Sequence, residues 1–148
     1  MIDPTGSRVR AIERELMLRA GPERVWRAIT DPEELSRWFG SAAELDLRPG
    51  GDASFSWSDG PDAGRYAARV EEVEPNRRFC YRWARDTDTP VDAGPSTLVE
   101  FDLEPSADGG CRLRLRESGF EREEDRQSND SGWTEELGEL EEHLEKAA

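Results

Sequence analysis

The sequence has few of the residue types on which enzymes and cofactor proteins commonly depend. Its 148 residues include two cysteines and one histidine, and Lys146 is the only lysine. A catalytic triad, a histidine-based zinc site or a histidine general base would therefore have to rest on His143. That residue stands among Glu141, Glu142 and Glu145. We therefore expect it to lie on a solvated helix face.

Short motifs of nucleotide, nucleophile and redox chemistry are also missing. No GxGxxG, P-loop, nucleophile elbow or CxxC is present. Asp86, Asp88 and Asp92 have the spacing of a calcium loop, but Val91 stands where that loop needs glycine and Thr97 where it needs glutamate. We predict no metal, no cofactor and no catalytic residue. Whether the protein is an enzyme stays open, because its 34 acidic residues offer carboxylates to a cavity.

The charge balance and the lack of long apolar runs exclude two kinds of partner. A net charge of −14 repels nucleic-acid phosphates, and Arg77-Arg78 is the only adjacent basic pair. No stretch is apolar enough to cross a membrane, and the first twenty residues are too charged for a secretory signal. We expect a cytoplasmic protein in which Cys80 and Cys111 are reduced packing residues. The acidity fits either a GC-rich genome or adaptation to high salt.

Aromatic residues are numerous in this charged chain. Five Trp, five Phe and two Tyr are too many for a disordered protein, although 36% of the residues are charged and only 34% are hydrophobic. The length suits one domain with one core. We therefore predict a single domain over residues 1–148, in which residues 1–7 form a flexible tail.

Two short helices are predicted directly after a first strand. Residues 12–18 alternate apolar and polar side chains, as a half-buried strand does. Pro22 suits the first position of a helix that ends at Thr30. Asp31, followed by proline and two glutamates, is a strong signal for the start of a second helix, which Gly40 closes.

Apolar and polar residues then alternate for about seventy residues, and this alternation predicts six further strands. Their turns are the glycine- and proline-rich stretches 48–51, 58–64, 75–76, 85–96 and 105–110. Leu47 is expected to continue the first of these strands. By strand parity, seven rings share one face, which we interpret as concave: Phe55, Trp57, Tyr66, Phe79, Tyr81, Trp83 and Phe101.

A C-terminal helix is predicted to cover that concave face. Its apolar stripe recurs at spacings of four, three and four residues, through Trp133, Leu137, Leu140 and Leu144. The polar segment 120–132, with turn formers at 127–130, is interpreted as a loop that is either a functional lid or disordered. The fold class is thus α+β, a curved antiparallel sheet of about seven strands around a long C-terminal helix.

Five blocks of the sequence, in order, resemble the START-like (SRPBCC) superfamily, in its branch of homologues of the activator of the heat-shock ATPase. The blocks are GPERVWRAITDPEELSRWF, DLRPGG, VEEVEPNRRFCYRW, CRLRLRESGF and GWTEELGEL, and the resemblance runs from about Arg8 to Leu144. It implies the helix-grip (START/Bet v-like) fold, with a cavity between sheet and C-terminal helix. It implies no common catalytic set, because members range from ligand carriers to cyclases and a co-chaperone domain. Eukaryotic co-chaperones of this branch carry a further N-terminal domain, for which we expect no room here.

The inward rings and the last helix supply the candidate cavity. We predict ten lining residues: Trp38, Phe39, Phe55, Trp57, Tyr66, Tyr81, Trp83, Phe101, Trp133 and Leu137. For any one ring, ordinary core packing is the alternative. Trp26 is expected in the core, and the resemblance implies that Glu117 and Ser118 lie near the cavity rim.

Three functions remain open from the sequence. The first is binding of a small apolar or amphipathic molecule without chemistry. The alternative is a co-chaperone-like domain whose acidic surface meets a protein partner. The second alternative is an enzyme that uses a carboxylate in the cavity.

Overall fold

Seven antiparallel strands form one sheet in the computed structural model, which describes residues 11–60 and 63–146. They are β1 (Ile12–Leu18), β2 (Ala42–Leu45), β3 (Asp52–Trp57), β4 (Gly64–Glu74), β5 (Arg78–Ala84), β6 (Ser96–Pro105) and β7 (Cys111–Ser118). Their order across the sheet is β1-β7-β6-β5-β4-β3-β2, a meander whose first strand pairs with its last. This confirms the predicted sheet. The predicted tail at residues 1–7 lies outside the described residues.

Two capped helices separate β1 from β2, as predicted. They are α1 (Pro22–Thr30) and α2 (Pro32–Trp38). The Asp31 side chain accepts a hydrogen bond from the backbone N–H of Glu33 at 3.0 Å, which satisfies a donor at the start of α2. Gly40 follows with a φ of +71°, a conformation that favours glycine, and turns the chain into β2. One boundary differs, since β2 ends at Leu45 and Leu47 lies exposed.

The last helix, α3 (Glu123–Lys146), is longer than predicted. The interpretation of residues 120–132 as a loop is wrong, because the helix includes all of them from Glu123 onward. Three acidic residues in its first turn, including Glu123, complement the helix dipole, and Arg126 pairs with Glu123 at 2.8 Å. Arg14 of β1 binds the side chain of Asp130, which fixes this half of α3 to the sheet.

An apolar core fills the space between the concave face, α1, α2 and the second half of α3. The predicted stripe of α3 is buried throughout, from Trp133 to Leu144. Phe39 lies at the centre of the rings, with centroids 5.2–6.2 Å from the rings of Trp38, Phe55, Trp57, Trp83 and Trp133. Such edge-to-face and offset contacts add stabilisation beyond area burial. Trp26 packs at the edge of this core against Phe79.

The convex face of the sheet is a lattice of arginines and carboxylates. Arg78 contacts Glu72 at 3.2 Å, Glu100 at 2.7 Å and Asp102 at 2.8 Å. Its planar fork reaches several carboxylates at once, which the single ammonium of lysine does less well. Cys80 lies on the same strand, buried and without a disulfide, and its burial raises the pKa of the thiol to about 12. The sheet therefore turns its charges outward and its rings inward.

A buried ionic cluster joins the three helices. Glu34 of α2 accepts from Arg24 of α1 at 2.7 Å, and Nε2 of His143 on α3 lies 2.9 Å from the same carboxylate oxygen. The prediction of a solvated His143 is wrong, because its side chain is only 13% exposed. Burial alone would raise the pKa of Glu34, but hydrogen bonds from His143 and Arg24, and their charges, hold that pKa below its ordinary value of 4.5. The ionised form of Glu34 thus helps to hold the helices together.

We expect Glu34→Gln to lower the free energy of unfolding at neutral pH, with a loss that shrinks as the pH falls below about 4.5. A carboxylate with a lowered native pKa stabilises the fold above its unfolded pKa, and that contribution disappears on acidification. Urea denaturation from pH 7 to pH 3 measures the difference. Glu33→Gln, on the exposed side of α2, is the matched control and should change stability less. A loss at Glu34 that is constant over the whole pH range would contradict the prediction.

No helix among the described residues is long and apolar enough to cross a membrane. The longest, α3, carries acidic side chains along most of its length.

Candidate functional site

A pocket opens at one end of the concave face, between the ends of β3 and β5, the end of α2 and the first half of α3. Its volume is about 150 Å³, and we call it the aromatic pocket. Apolar cavities of that order hold a benzene-sized molecule. The lining residues are Phe39, Trp57, Tyr66, Trp83, Ala84, Arg85, Ser128, Asn129, Gly132, Trp133 and Glu136.

Five of the ten predicted cavity residues line this pocket: Phe39, Trp57, Tyr66, Trp83 and Trp133. The strands make space for the two largest rings by pairing them with small residues. Trp57 lies opposite Gly64, and Trp83 lies opposite Ala68. The indole N–H of Trp57 donates to the carbonyl of Phe39 at 3.2 Å, so it also caps the end of α2. The apolar wall is therefore fixed by strand register and by one cap.

The other five predicted residues are buried in the core and do not line the aromatic pocket: Trp38, Phe55, Tyr81, Phe101 and Leu137. Trp38 satisfies its indole N–H internally, by donating to the carbonyl of Ala28 at 2.8 Å. Phe55 and Tyr81 pack against each other, with ring centroids 5.2 Å apart. These side chains support the pocket from behind.

Glu117 is a wholly buried carboxylate under the pocket wall, with 0% of its surface exposed. It accepts hydrogen bonds from the Thr97 hydroxyl at 2.6 Å, the indole N–H of Trp133 at 2.8 Å and the side-chain amide of Asn129 at 3.0 Å. A buried carboxylate is tolerated when such donors surround it. The rim position expected for Glu117 is therefore wrong.

Strand register explains why Glu117 faces inward. In β7 it shares parity with the apolar residues Leu113 and Leu115, and it lies opposite Val99 of β6. The sequence signal was thus an acidic residue at an inward position of an alternating strand. Burial, and secondarily the charge of Glu117, raises the pKa of Tyr81 well above its ordinary value. Glu117 holds Asn129 and Trp133, and both line the aromatic pocket.

The polar wall was missed from the sequence. Ser128, Asn129 and Glu136 all belong to α3, and two of them lie in the segment that was interpreted as a loop. A segment without an apolar stripe gives periodicity nothing to detect. The structure therefore adds a hydrophilic side to a pocket predicted as a set of rings.

Arg85 also lines this pocket and directly follows β5. Its backbone N–H donates to the carbonyl of Pro95 at 2.9 Å, and its guanidinium stands 5.5 Å from the centroid of the Phe120 ring. A second pocket of about 340 Å³, which we call the polar cleft, is lined by Arg85, Phe120 and Arg122 and by three acidic residues, Asp86, Glu121 and Asp125. Arg85 thus stands between the aromatic pocket and the polar cleft.

The acidic loop before β6 has a structural use. Asp92 accepts from Arg69 of β4 at 2.9 Å, so it is paired with the sheet. Among the described residues, no group of three or more His, Cys, Asp or Glu side chains is arranged to hold a metal ion.

The protein is a START-like domain of the helix-grip type. This class is defined by the meandering sheet, by α3 against its concave face and by the pocket between them. Within that class, the chain belongs to the family described as activator of Hsp90 ATPase homolog 1-like protein, whose model matches residues 19–145. The resemblance found in the sequence is confirmed. A search of curated proteins found no significant match.

Solved structures share this fold over nearly the whole chain. Protein MLL2253 from Mesorhizobium loti is 24% identical, with a TM-score of 0.79 over 93% of this chain and 98% of its own. CalU16 from Micromonospora echinospora is 26% identical, with a TM-score of 0.72 over 90% of this chain and 75% of its own. A protein described as an Aha1 dimer from Colwellia psychrerythraea is 20% identical, with a TM-score of 0.72 over 90% of this chain and 95% of its own. These similarities establish the fold.

We expect Glu117→Leu to lower the free energy of unfolding by at least about 3 kcal/mol, because it leaves the buried donors of Thr97 and Trp133, and the half-buried amide of Asn129, without an acceptor. Urea denaturation followed by tryptophan fluorescence measures the loss. Glu117→Gln keeps one acceptor oxygen and should cost less than Glu117→Leu. A loss under about 1 kcal/mol for Glu117→Leu would show that these donors do not depend on the carboxylate.

Proposed function

We propose that the protein binds a small, partly apolar organic molecule in the aromatic pocket and performs no chemistry on it. The observation that carries this proposal is the set of five rings around about 150 Å³ of open volume at the end of the sheet. Pockets that bind small molecules are concave, mostly apolar and fitted with a few polar groups. The aromatic pocket is concave and joins a wall of rings to a polar side of similar extent.

The rings of the pocket are held by one another, which favours binding. Phe39 stacks on Trp83 and on Trp133, with interplanar angles of 17° and 16°. A ligand that enters therefore does not have to order them, and the entropic cost of binding is smaller. Ser128 and Asn129 of the polar wall, together with Arg85, favour an amphipathic molecule over a pure hydrocarbon.

The state of Glu117 supports binding over catalysis. Its oxygens are occupied by three donors, and it does not line the aromatic pocket. A general base has to reach the proton that it removes. Glu117 instead positions two wall residues, Asn129 and Trp133.

Gly132 offers a direct test of the pocket. A Cβ added at this helical position meets no atom within 4 Å, and Gly132 lines the pocket. We expect Gly132→Leu to fill the mouth and to weaken binding of a neutral planar probe, benzamide, by about tenfold or more. Isothermal titration calorimetry measures the affinity. Replacing a helical glycine should not lower thermal stability.

Gly138→Leu is the matched control. Gly138 lies in the same helix, has the same open space at its Cβ and does not line the pocket. It should bind benzamide as the wild type does. Absence of binding to the wild type, or equal binding by all three proteins, would refute the proposed pocket. Native mass spectrometry of the freshly purified protein is the route to the natural ligand.

A further inference from the structure

Side-chain donors without acceptors are concentrated at the aromatic pocket. Among the described residues, three buried side-chain nitrogens make no hydrogen bond: Nε1 of Trp83, Nε of Arg85 and Nε of Arg112. The last of these lies against the carboxylate of Glu15, with which it forms an ion pair. The two that remain, Trp83 and Arg85, both line the aromatic pocket.

Such donors are rare in folded proteins, because a buried N–H without an acceptor is costly. Three other indole N–H groups of this core have acceptors. Trp38 donates to Ala28, Trp57 to Phe39, and Trp133 to Glu117. Nε1 of Trp83 has almost no exposed surface in this structure. The indole N–H without an acceptor, that of Trp83, therefore lies at the pocket that a ligand would enter.

Arg85 adds a positive charge at the boundary with the polar cleft, where Asp86, Glu121 and Asp125 also lie. Within the described residues its guanidinium makes no ion pair, although the chain carries 34 acidic residues against 20 basic ones. Phe120 instead lies 5.5 Å away as a stacking surface. A cation–π contact of this kind does not use the guanidinium N–H groups, so they can still donate to a planar anion.

We propose that the ligand is a planar aromatic acid, whose ring lies among the rings of the pocket and whose carboxylate is bound by Arg85. This inference rests on the proposed function and specifies the ligand class. A carboxylate matches the guanidinium fork in geometry and charge. The N–H of Trp83 acts as a second donor after a small shift of the ring toward the ligand.

The orientation of the ligand follows from the charges at the two walls. Glu136, the acidic side chain of the lining, belongs to α3, whereas Arg85 continues the sheet. The carboxylate therefore lies at the sheet side, next to the polar cleft. The uncharged edge of the ring faces α3.

The test compares two probes of equal shape, benzoate and neutral benzamide, at neutral pH by isothermal titration calorimetry. We expect the wild type to bind benzoate about tenfold to a hundredfold more tightly. Arg85→Gln should remove this preference, because it weakens the binding of benzoate much more than that of benzamide. Arg65→Gln makes the same charge change at an exposed position of β4 and should keep the preference.

The outcomes separate this inference from the proposed function. Equal affinity of the wild type for both probes, or a preference that survives in Arg85→Gln, overturns the aromatic acid while the pocket stands. Failure of both probes to bind the wild type overturns the pocket and the acid together. The comparison of probes on the wild type decides the question even if Arg85→Gln does not fold.

Discussion

A single helix is too narrow to cover a seven-stranded sheet, and much of this structure serves to cover the part of the sheet that the helix leaves open. Seven strands at about 4.8 Å spacing are roughly 29 Å wide, whereas a helix with its side chains is about 10–12 Å across. The helix α3 covers the strands near β1 and β7, while α1 and α2 cover another part. Large rings have to fill what remains. Where they do not fill it, the aromatic pocket opens.

The polar interior follows from the same constraint. The first half of α3 lies at the edge of the core and has no apolar side chain to anchor it there. Glu117 supplies the anchor instead, by accepting hydrogen bonds from Asn129 and Trp133. Arg14 adds a second attachment at Asp130. Burying a charge without partners is costly. Here the hydrogen bonds to Glu117 offset that cost and hold the pocket wall in position.

Much of the fold follows from local rules, and the parts that do not are long-range. Alternation in β3 and β5 placed Trp57 and Trp83 on the inner face, and Asp31 marked the start of α2, because strand parity and helix caps depend on near neighbours in sequence. The first half of α3 was missed, since its polar residues are helical through contacts such as that of Asn129 with Glu117. Which rings line the pocket, rather than fill the core, depends on packing that no periodicity encodes.

The first half of α3 also bears on how a protein of this kind changes over evolutionary time. Residues 123–132 supply much of the polar wall, yet none of them is buried. Apart from Asn129 and Asp130, which attach the helix to Glu117 and Arg14, substitutions there alter what the pocket accepts without creating cavities in the core, so they cost little stability. New ligand preferences are therefore reachable by single steps through folded intermediates. The same scaffold is accordingly a suitable starting point for directed selection of binders.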